Sequence, residues 1–452
     1  MKKPDKQKIT CDVLIAGSGA IAYLIALIFT GCNKRVAMSA NPPEPSVLIG
    51  GLRILNDLTG NASLAISPEN IRVDPVDGVI KQGQLGIFTR SGATASPMIS
   101  RLELEHEKLV VFATKTFSNR SVIEDLGSLL TRTHGITFLA VQNGINPEGE
   151  IDLLLKQNGI GGYRLLRAIV FGGVFPASND GSIMKHTIRT LGVGCWNASS
   201  GQENHTACLD WLNDCFSNRT IVAELLHGDE YRTASVSKAI INYLSSVSFI
   251  FGATIGEILD NPLLEGWSTD KIDECILISN LDMGLKLHAG TVKKHAKEIV
   301  SELRPHYPSM AVDGFRSFGN PKRSMDTEVN QIDRQFATYS MTPAPMNEFC
   351  SNLLDDVVST FNELSLKSRT QALTFGVRFM VRNRVLAGLP PYTFFDVPLA
   401  DLKSKAELFK RYQDRDLRIK KCLSPDFLPV ELCCSYHELK SEYSRIRTGA
   451  FA

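Results

Sequence analysis

Apolar positions along this chain come in two textures: short unbroken runs in the first half, and a three-to-four-residue recurrence in the second. The first run, Val13, Leu14, Ile15 and Ala16, predicts a buried strand suited to the middle of a parallel sheet. Gly17, Ser18 and Gly19 interrupt it, and the pattern from Ala20 onward predicts a helix. Residues 34–39 read as a second strand. Between residues 71 and 90, three short strand-like pieces separated by Asp77-Gly78 and Gln82-Gly83 predict a small antiparallel meander inserted in the parallel sheet. The buried-strand pattern resumes at residues 109–113 and 136–141. Glycine-punctuated alternation over residues 164–196 predicts further strands and hairpins, and a helix at 204–216 with a strand at 220–224 would close the domain. Helical periodicity then runs through residues 231–259, 269–288 and 291–303 with hardly a strand signal.

This pattern predicts an α/β domain at residues 8–226, an all-helical second domain at 227–367, and a helical C-terminal extension at 368–452. The extension carries an apolar helical face over 370–386 and an amphipathic, mixed-charge stretch over 399–422. Extra helices packed on the second domain are expected there; a subunit interface of a homo-oligomer, or a cap over a cleft, is the alternative.

The strand–turn–helix at the start has the spacing GxGxxA. Gly17 would allow the tight turn, Gly19 a close approach of pyrophosphate to backbone, and Ala22 close packing of helix on strand. Unpaired N–H groups around Ser18, Gly19, Ala20 and Ile21, with the positive end of the helix dipole, favour a phosphate without any basic side chain. An ordinary glycine turn is the competing reading, and the flanking strand and helix weigh against it. The second strand ends in Ser39, Ala40 and Asn41, where an NAD site usually presents an acid to the ribose. With no acid to repel a 2′-phosphate, NADP is preferred to NAD, although no arginine adjoins the site to grip that phosphate. The later strands end at Lys115 and at Asn143-Gly144, two polar ends at the edge where open α/β folds bind ligands. Taken singly, the lysine reads as a solvated strand end and Asn-Gly as a turn.

Composition narrows the classes. At 452 residues the chain is too long for one ordinary core. Lys plus Arg at 49 against Asp plus Glu at 48 leaves a formal charge of +1, with no electrostatic footprint for nucleic acid or an acidic membrane surface. The ten cysteines include no CxxC pair, which points away from a zinc site or a disulfide framework and toward a reduced, cytoplasmic setting. No apolar segment of signal or membrane-spanning length follows the lysine-rich start.

In the helical half, Lys238 and Asn242 lie four residues apart in a stretch otherwise rich in Ala, Ile, Leu and Val, so a continuous helix would place them on one face. A snorkelling surface lysine is the plain reading of that helix alone. Further on, Ser309 follows Pro308 ahead of a glycine-containing loop, and residues 324–328 predict a helix start with Glu328 in its first turn.

The order of these motifs resembles the ketopantoate reductase (2-dehydropantoate 2-reductase) family. FATKT at 112–116 and VQNG at 141–144 are similar to its nucleotide-domain strand ends, SKAIIN at 237–242 to its lysine helix, and PSMAVD at 308–313 to its serine-methionine segment. TEVN at 327–330 resembles its threonine-glutamate helix start and TPAPMN at 342–347 the start of its last helix. The resemblance covers roughly residues 8–365 and implies a Rossmann-type domain followed by a helical domain like the C-terminal one of 6-phosphogluconate dehydrogenase. It implies NADPH-dependent reduction of a 2-oxo acid, ketopantoate first among them, as in pantothenate biosynthesis. The roles it implies are Lys238 as general acid, Glu328 as its partner, Asn242, Ser309 and Ser246 toward substrate, and Lys115 and Asn143 toward the cofactor. This chain departs from the family at Ser246, where asparagine is common, at Asn330, an acid in the family, and at Asp333-Arg334, an asparagine-glycine pair in the family. A longer loop at 314–323 adds to these. The rival readings are another two-domain dehydrogenase, opine-forming or acting on a different 2-oxo acid, and a nucleotide-binding protein that senses or assembles without catalysing. No metal is expected, since hydride transfer of this kind needs none and the nine histidines lack ligand spacing.

Overall fold

The computed structural model describes residues 8–40, 51–56, 63–75, 79–89, 97–176, 183–188, 190–196, 210–216, 221–301, 303–319, 325, 328 and 331–389. The chain divides into two compact units, Met1–Ser235 and Val236–Ala452.

The strands of the first unit are β1 (Ile9–Ala16), β2 (Val36–Ala40), β3 (Leu52–Asn56), β4 (Ser63–Ile66), β5 (Ile71–Val73), β6 (Leu85–Thr89) and β7 (Leu102–Phe112). They continue with β8 (Thr137–Ala140), β9 (Arg164–Phe171), β10 (Val174–Pro176), β11 (Ile183–His186), β12 (Thr190–Cys195) and β13 (Val222–Leu226). Nine form one sheet in the order β13-β12-β9-β8-β7-β1-β2-β6-β5, and four form a second, β10-β11-β3-β4. The large sheet is parallel apart from the β9–β12 pair. Seven of the eight β1 residues are buried, as the unbroken apolar run requires of a strand covered on both faces. Helices α1 (Ala20–Gly31), α2 (Asn119–Arg132) and α3 (Pro147–Gln157) follow β1, β7 and β8, and separate apolar cores fill the two sides of the sheet.

The chain order reverses at β1, which has β2 on one side and β7 on the other. Ala16 stands opposite Ser39 in one neighbour and Phe112 in the other, and Phe112 stands opposite Ala140. The carboxyl ends of β2, β1, β7 and β8 are thereby level at the switch point where open α/β sheets take ligands.

One expectation for this unit is corrected. Residues 71–90 do not make an antiparallel meander: β5 and β6 pair parallel with each other, and β6 pairs parallel with β2, extending the main sheet. Four of the five β6 residues are buried, so LGIFT behaves as another covered parallel strand. Asp74, at φ 42°, ties the end of β5 to Thr89 by accepting from its backbone N–H at 3.1 Å and from its hydroxyl.

The second unit is helical. After α4 (Gly228–Ile241), whose residues span the division, come α5 (Leu244–Phe251), α6 (Ile255–Asp260), α7 (Pro262–Leu281) and α8 (Ala289–Ser301). They are followed by α9 (Ser309–Gly319), α10 (Gln331–Tyr339), α11 (Pro345–Lys367) and α12 (Arg369–Leu386). The expected helix over 231–259 is three helices. It breaks at Asn242-Tyr243 and again at Gly252, whose φ of 55° caps α5 in the left-handed region that favours glycine. Thr254 and Glu257 then form a capping box that starts α6.

All eight residues of α5 are buried, and α9, α11 and α12 pack on it. Phe249 stacks on Phe315 and Phe318 with ring centroids 5.2 and 5.3 Å away, and Phe379 of α12 stands 6.1 Å away. Gly314 permits this approach, since a Cβ there would lie 2.3 Å from the Phe249 ring. The extension thus begins as part of the second core. Phe375 and Phe379 are buried, as the apolar face predicts, while the Leu386 side chain and the stretch 399–422 lie outside the described residues. Polar bonds seat the same helix: Asn383 donates to the Ile250 carbonyl at 2.8 Å, and fully buried Arg384 donates to the Gly252 carbonyl and to Glu257.

Candidate functional site

In the first unit the site is built from strand ends. Gly17 has φ 132°, and a Cβ on it would lie 2.5 Å from the Ala113 carbonyl oxygen, so only glycine lets β1 turn this close beside β7. Its N–H donates to the Ser39 carbonyl at 3.0 Å, pinning the turn to β2. Gly19 differs: it is exposed, it is the N-cap of α1 without a side-chain cap bond, and a Cβ there would meet nothing within 4 Å. Ser18, Ala20 and Ile21 around it are partly exposed. An open glycine at a helix start, with neither an acid in the first turn nor a cap, suits a phosphate group. These residues therefore fit the pyrophosphate of a dinucleotide. Ser39 is buried at the end of β2, and Asn41 lies outside the described residues.

The neighbouring strand ends are braced from behind. Gln142 donates to the Thr114 carbonyl at 2.9 Å and to Asn119 at 2.6 Å, while Asn119 donates back at 3.2 Å. This pair joins the segment after β7, with half-buried Lys115, to the segment after β8. Asn143 is half-buried. The turn that carries it is held by Arg167 of β9, which donates to the Gly144 carbonyl at 2.6 Å and the Ile145 carbonyl at 3.2 Å. Arg167 also pairs with Glu148 at 3.2 Å and donates to Ser235, whose hydroxyl donates to the Ile145 carbonyl at 2.9 Å. Tyr231 donates to the other Glu148 oxygen at 2.5 Å, and burial pushes its phenol well above the ordinary tyrosine range.

In the second unit Lys238 is half-buried in the last turn of α4. Asn242 falls just past the helix end, where its N–H donates to the Ala239 carbonyl at 3.1 Å, so it shares a turn with Lys238 and not a helical face. Its Nδ2 is buried and has no partner among the described residues, an orphan donor of the kind a ligand oxygen satisfies. Glu328 is 2% exposed and precedes α10, donor Gln331 N–H reaching its carbonyl at 3.0 Å. The helix expected from 324 begins at Gln331; Asn330 lies outside the described residues. Ser309 is exposed at the first position of α9.

Ser246 has a different setting from the one the resemblance implies. It is 1% exposed, and its hydroxyl accepts from Lys271. Lys271 pairs with Asp333, each 1% exposed, and donates to the Tyr243 carbonyl at 3.1 Å. Burial pushes the Asp333 carboxyl up; burial also pulls Lys271 down, and it takes the Asp333 charge together with the other groups around the ammonium to hold it up. Cys275 and Cys350 beside the pair are kept as thiols by burial, Cys350 pushed up to about 12. Glu274, one turn beyond Lys271, accepts from the backbone N–H groups of Met346 and Asn347, both at 2.9 Å, at the start of α11.

Sequence reasoning missed Arg167, Glu148, Tyr231 and Lys271. An arginine inside an apolar strand was the signal for Arg167; Lys271, between Asp270 and Asp273, reads as a surface residue, and the partners of both lie far away in sequence.

Residues 230–358 match the family described as ketopantoate reductase PanE/ApbA C terminal. No curated protein matches the chain by sequence. Among solved structures, a PanE/ApbA family ketopantoate reductase from Ralstonia eutropha JMP134 is similar at 17% identity and a TM-score of 0.56, over 77% of this chain and 99% of that one. A 2-dehydropantoate 2-reductase from Geobacter metallireducens GS-15 is similar at 16% identity and 0.57, over 76% and 99%. D-mandelate dehydrogenase, in a ternary structure with NADH and anilino(oxo)acetate, is similar at 16% identity and 0.56, over 77% and 99%. At these identities the likeness is one of fold.

Proposed function

We propose, from the ketopantoate reductase C-terminal domain that residues 230–358 carry, that this protein is an NAD(P)-dependent oxidoreductase reducing the ketone of a 2-oxo acid. Ketopantoate is the first candidate substrate and NADPH the favoured cofactor. The observation that carries the reading is the pair of glycines at the sheet's switch point: Gly17 forced by its neighbour, Gly19 left open at a helix start.

Gly17, Ser18, Gly19, Ala20 and Ile21 would hold the pyrophosphate through backbone N–H groups, with Ser39 toward the ribose and Lys115 and Asn143 along the same edge. A reduced nicotinamide held there would supply the hydride that the carbonyl carbon of the substrate accepts. As that bond forms, the carbonyl oxygen gains the electron pair of the C=O π bond, and Lys238 donates a proton to it from its ammonium. The lysine is left as a neutral amine, to be reprotonated from solvent. Glu328 orients the ammonium and favours its charged form before transfer. Asn242 offers its orphan Nδ2 donor to the substrate carboxylate, and Ser309 contributes a hydroxyl from the start of α9.

A second reading, another 2-oxo acid and NADH, draws on the burial of Ser246 and its engagement by Lys271, at a position that the family resemblance turns toward substrate. Turnover of ketopantoate, smaller branched 2-oxo acids and an aromatic 2-oxo acid, each with NADPH and NADH, tests both. Oxidation of cofactor by none of them, under conditions where it binds, would leave the sensing reading.

A further inference from the structure

Two positions at which this chain departs from the ketopantoate reductase pattern, Ser246 and Asp333, are 87 residues apart in sequence and reach one group in the core of the second unit. The group that joins them is Lys271. Its ammonium has three partners: the Asp333 carboxylate on α10, the Ser246 hydroxyl on α5, and at 3.1 Å the carbonyl of Tyr243, in the two-residue turn that also holds Asn242. None of the three side chains is more than 1% exposed, so water does not compete for these bonds.

The arrangement spans two segments of the proposed site. The turn at 242–243 carries the orphan Asn242 donor, and α10 begins three residues after Glu328, whose carbonyl caps its first N–H. A charged pair is costly to bury, and a neutral core would hold the helices together equally well. What the pair adds is a fixed register between turn and helix, since an ion pair sharing a hydroxyl and a carbonyl satisfies its partners in one alignment only.

We infer that Lys271 is a positioning residue, clamping the Asn242–Tyr243 turn to the helix that follows Glu328 and so setting where these two groups stand relative to a substrate. The inference rests on the reading of Asn242 and Glu328 given above. It also explains the paired departures: Ser246 and Asp333 serve the lysine, and neither touches the substrate.

The test uses the full chain with Lys271→Met and Asp333→Asn combined, which removes both charges and nearly keeps volume. A folded double variant should exchange amide hydrogens at 242–246 and 331–336 about tenfold faster or more, with protection in β1 unchanged. Its kcat/KM for the best 2-oxo acid should fall roughly 100-fold, the scale of an ångström-sized misplacement, with the Kd for NADPH unaltered. Parental exchange in both segments would overturn the clamp; faster exchange with parental kcat and KM would overturn the positioning role. If the parent reduces no 2-oxo acid, the functional reading fails, and with it the positioning role, while exchange still decides whether the clamp exists. Should the double variant not fold, Ser246→Ala keeps the ion pair and removes one bond. It should then raise exchange at 242–246 and lower kcat/KM in the same sense, and parental values of both would overturn the proposal.

Discussion

Arg167 and Glu148 form an ion pair at 3.2 Å with side chains 1% and 2% exposed, and the same guanidinium holds the carbonyls of Gly144 and Ile145. The pair therefore sits directly behind the turn that presents Asn143. Arg167→Met would leave the Glu148 carboxylate buried with only Tyr231 to bond it, and should cost about 3–5 kcal/mol of stability in denaturant titration. Arg167→Lys should also destabilise, because a single ammonium cannot span the carboxylate, the hydroxyl and two carbonyls that the planar fork reaches. Parental stability for Arg167→Lys would show that the fork geometry is irrelevant.

The two glycines of the nucleotide turn should separate folding from binding. Gly17→Ala puts a methyl group against the Ala113 carbonyl at a φ that L residues rarely adopt, and should lower stability by roughly 1–3 kcal/mol. Gly19 has φ −76° and open space around it, so Gly19→Ala should melt like the parent. Its effect should be on the ligand: a methyl group in the path of the pyrophosphate should raise the Kd for NADPH by about tenfold or more, the equivalent of roughly 1.4 kcal/mol. Titration by cofactor fluorescence reads this directly, and unchanged affinity would place the dinucleotide elsewhere.

Cofactor preference is a separate measurement. The end of β2, Ser39-Ala40, presents no carboxylate side chain, so NADPH should bind at least as tightly as NADH. A clear preference for NADH would reverse the assignment and leave the glycine turn untouched.

The last described helix should give the protein an acid-sensitive joint. Burial alone would raise the Glu257 carboxyl, but hydrogen bonds from Arg384, and then from the Thr254 N–H, outweigh it and hold the group below the usual carboxylate range. A depressed carboxyl contributes stability that is present above its unfolded value, about pH 4.3, and is lost as pH falls through the lower folded value. Melting temperature of the parent should therefore drop on acidification through and below that point. Arg384→Met should be less stable at neutral pH and show a shallower acid loss; an equal slope in both proteins would remove Arg384 as the cause.

These tests also mark what was readable in the chain. The turn at residues 17–19, the level ends of β1, β7 and β8, and the apolar face of Phe375 and Phe379 were legible, because each depends on local pattern: an apolar run, a glycine at a forced position, a helical stripe. The direction of β5 and β6 was not, since a short apolar strand pairs either way and only its neighbours decide. The break at Asn242-Tyr243 escaped for a similar reason. Apolar residues continue through it, and what stabilises the turn is Lys271, 28 residues away. Buried charge is the least legible of all: Lys271 and Asp333 each look like surface residues until the partner is known.

In the proposed mechanism Lys238 carries the proton transfer, and that role can be read apart from binding. Its place in the last turn of α4, half-buried and followed by the orphan donor of Asn242, suits a group that delivers a proton within a partly dry site. Lys238→Ala removes that donor and leaves the glycine turn in the other unit as it was, so the Kd for NADPH should hardly change. Turnover should fall by roughly 100-fold to 10,000-fold, the range for loss of a positioned general acid. Glu328→Ala should lower turnover and also raise KM, because its carboxylate is expected to touch both the lysine and the substrate. The two losses should not add in the double variant, since groups acting as one unit share a single step. If Lys238→Ala reduces a 2-oxo acid at the parental rate while binding NADPH normally, the lysine is a surface residue and the proton comes from elsewhere.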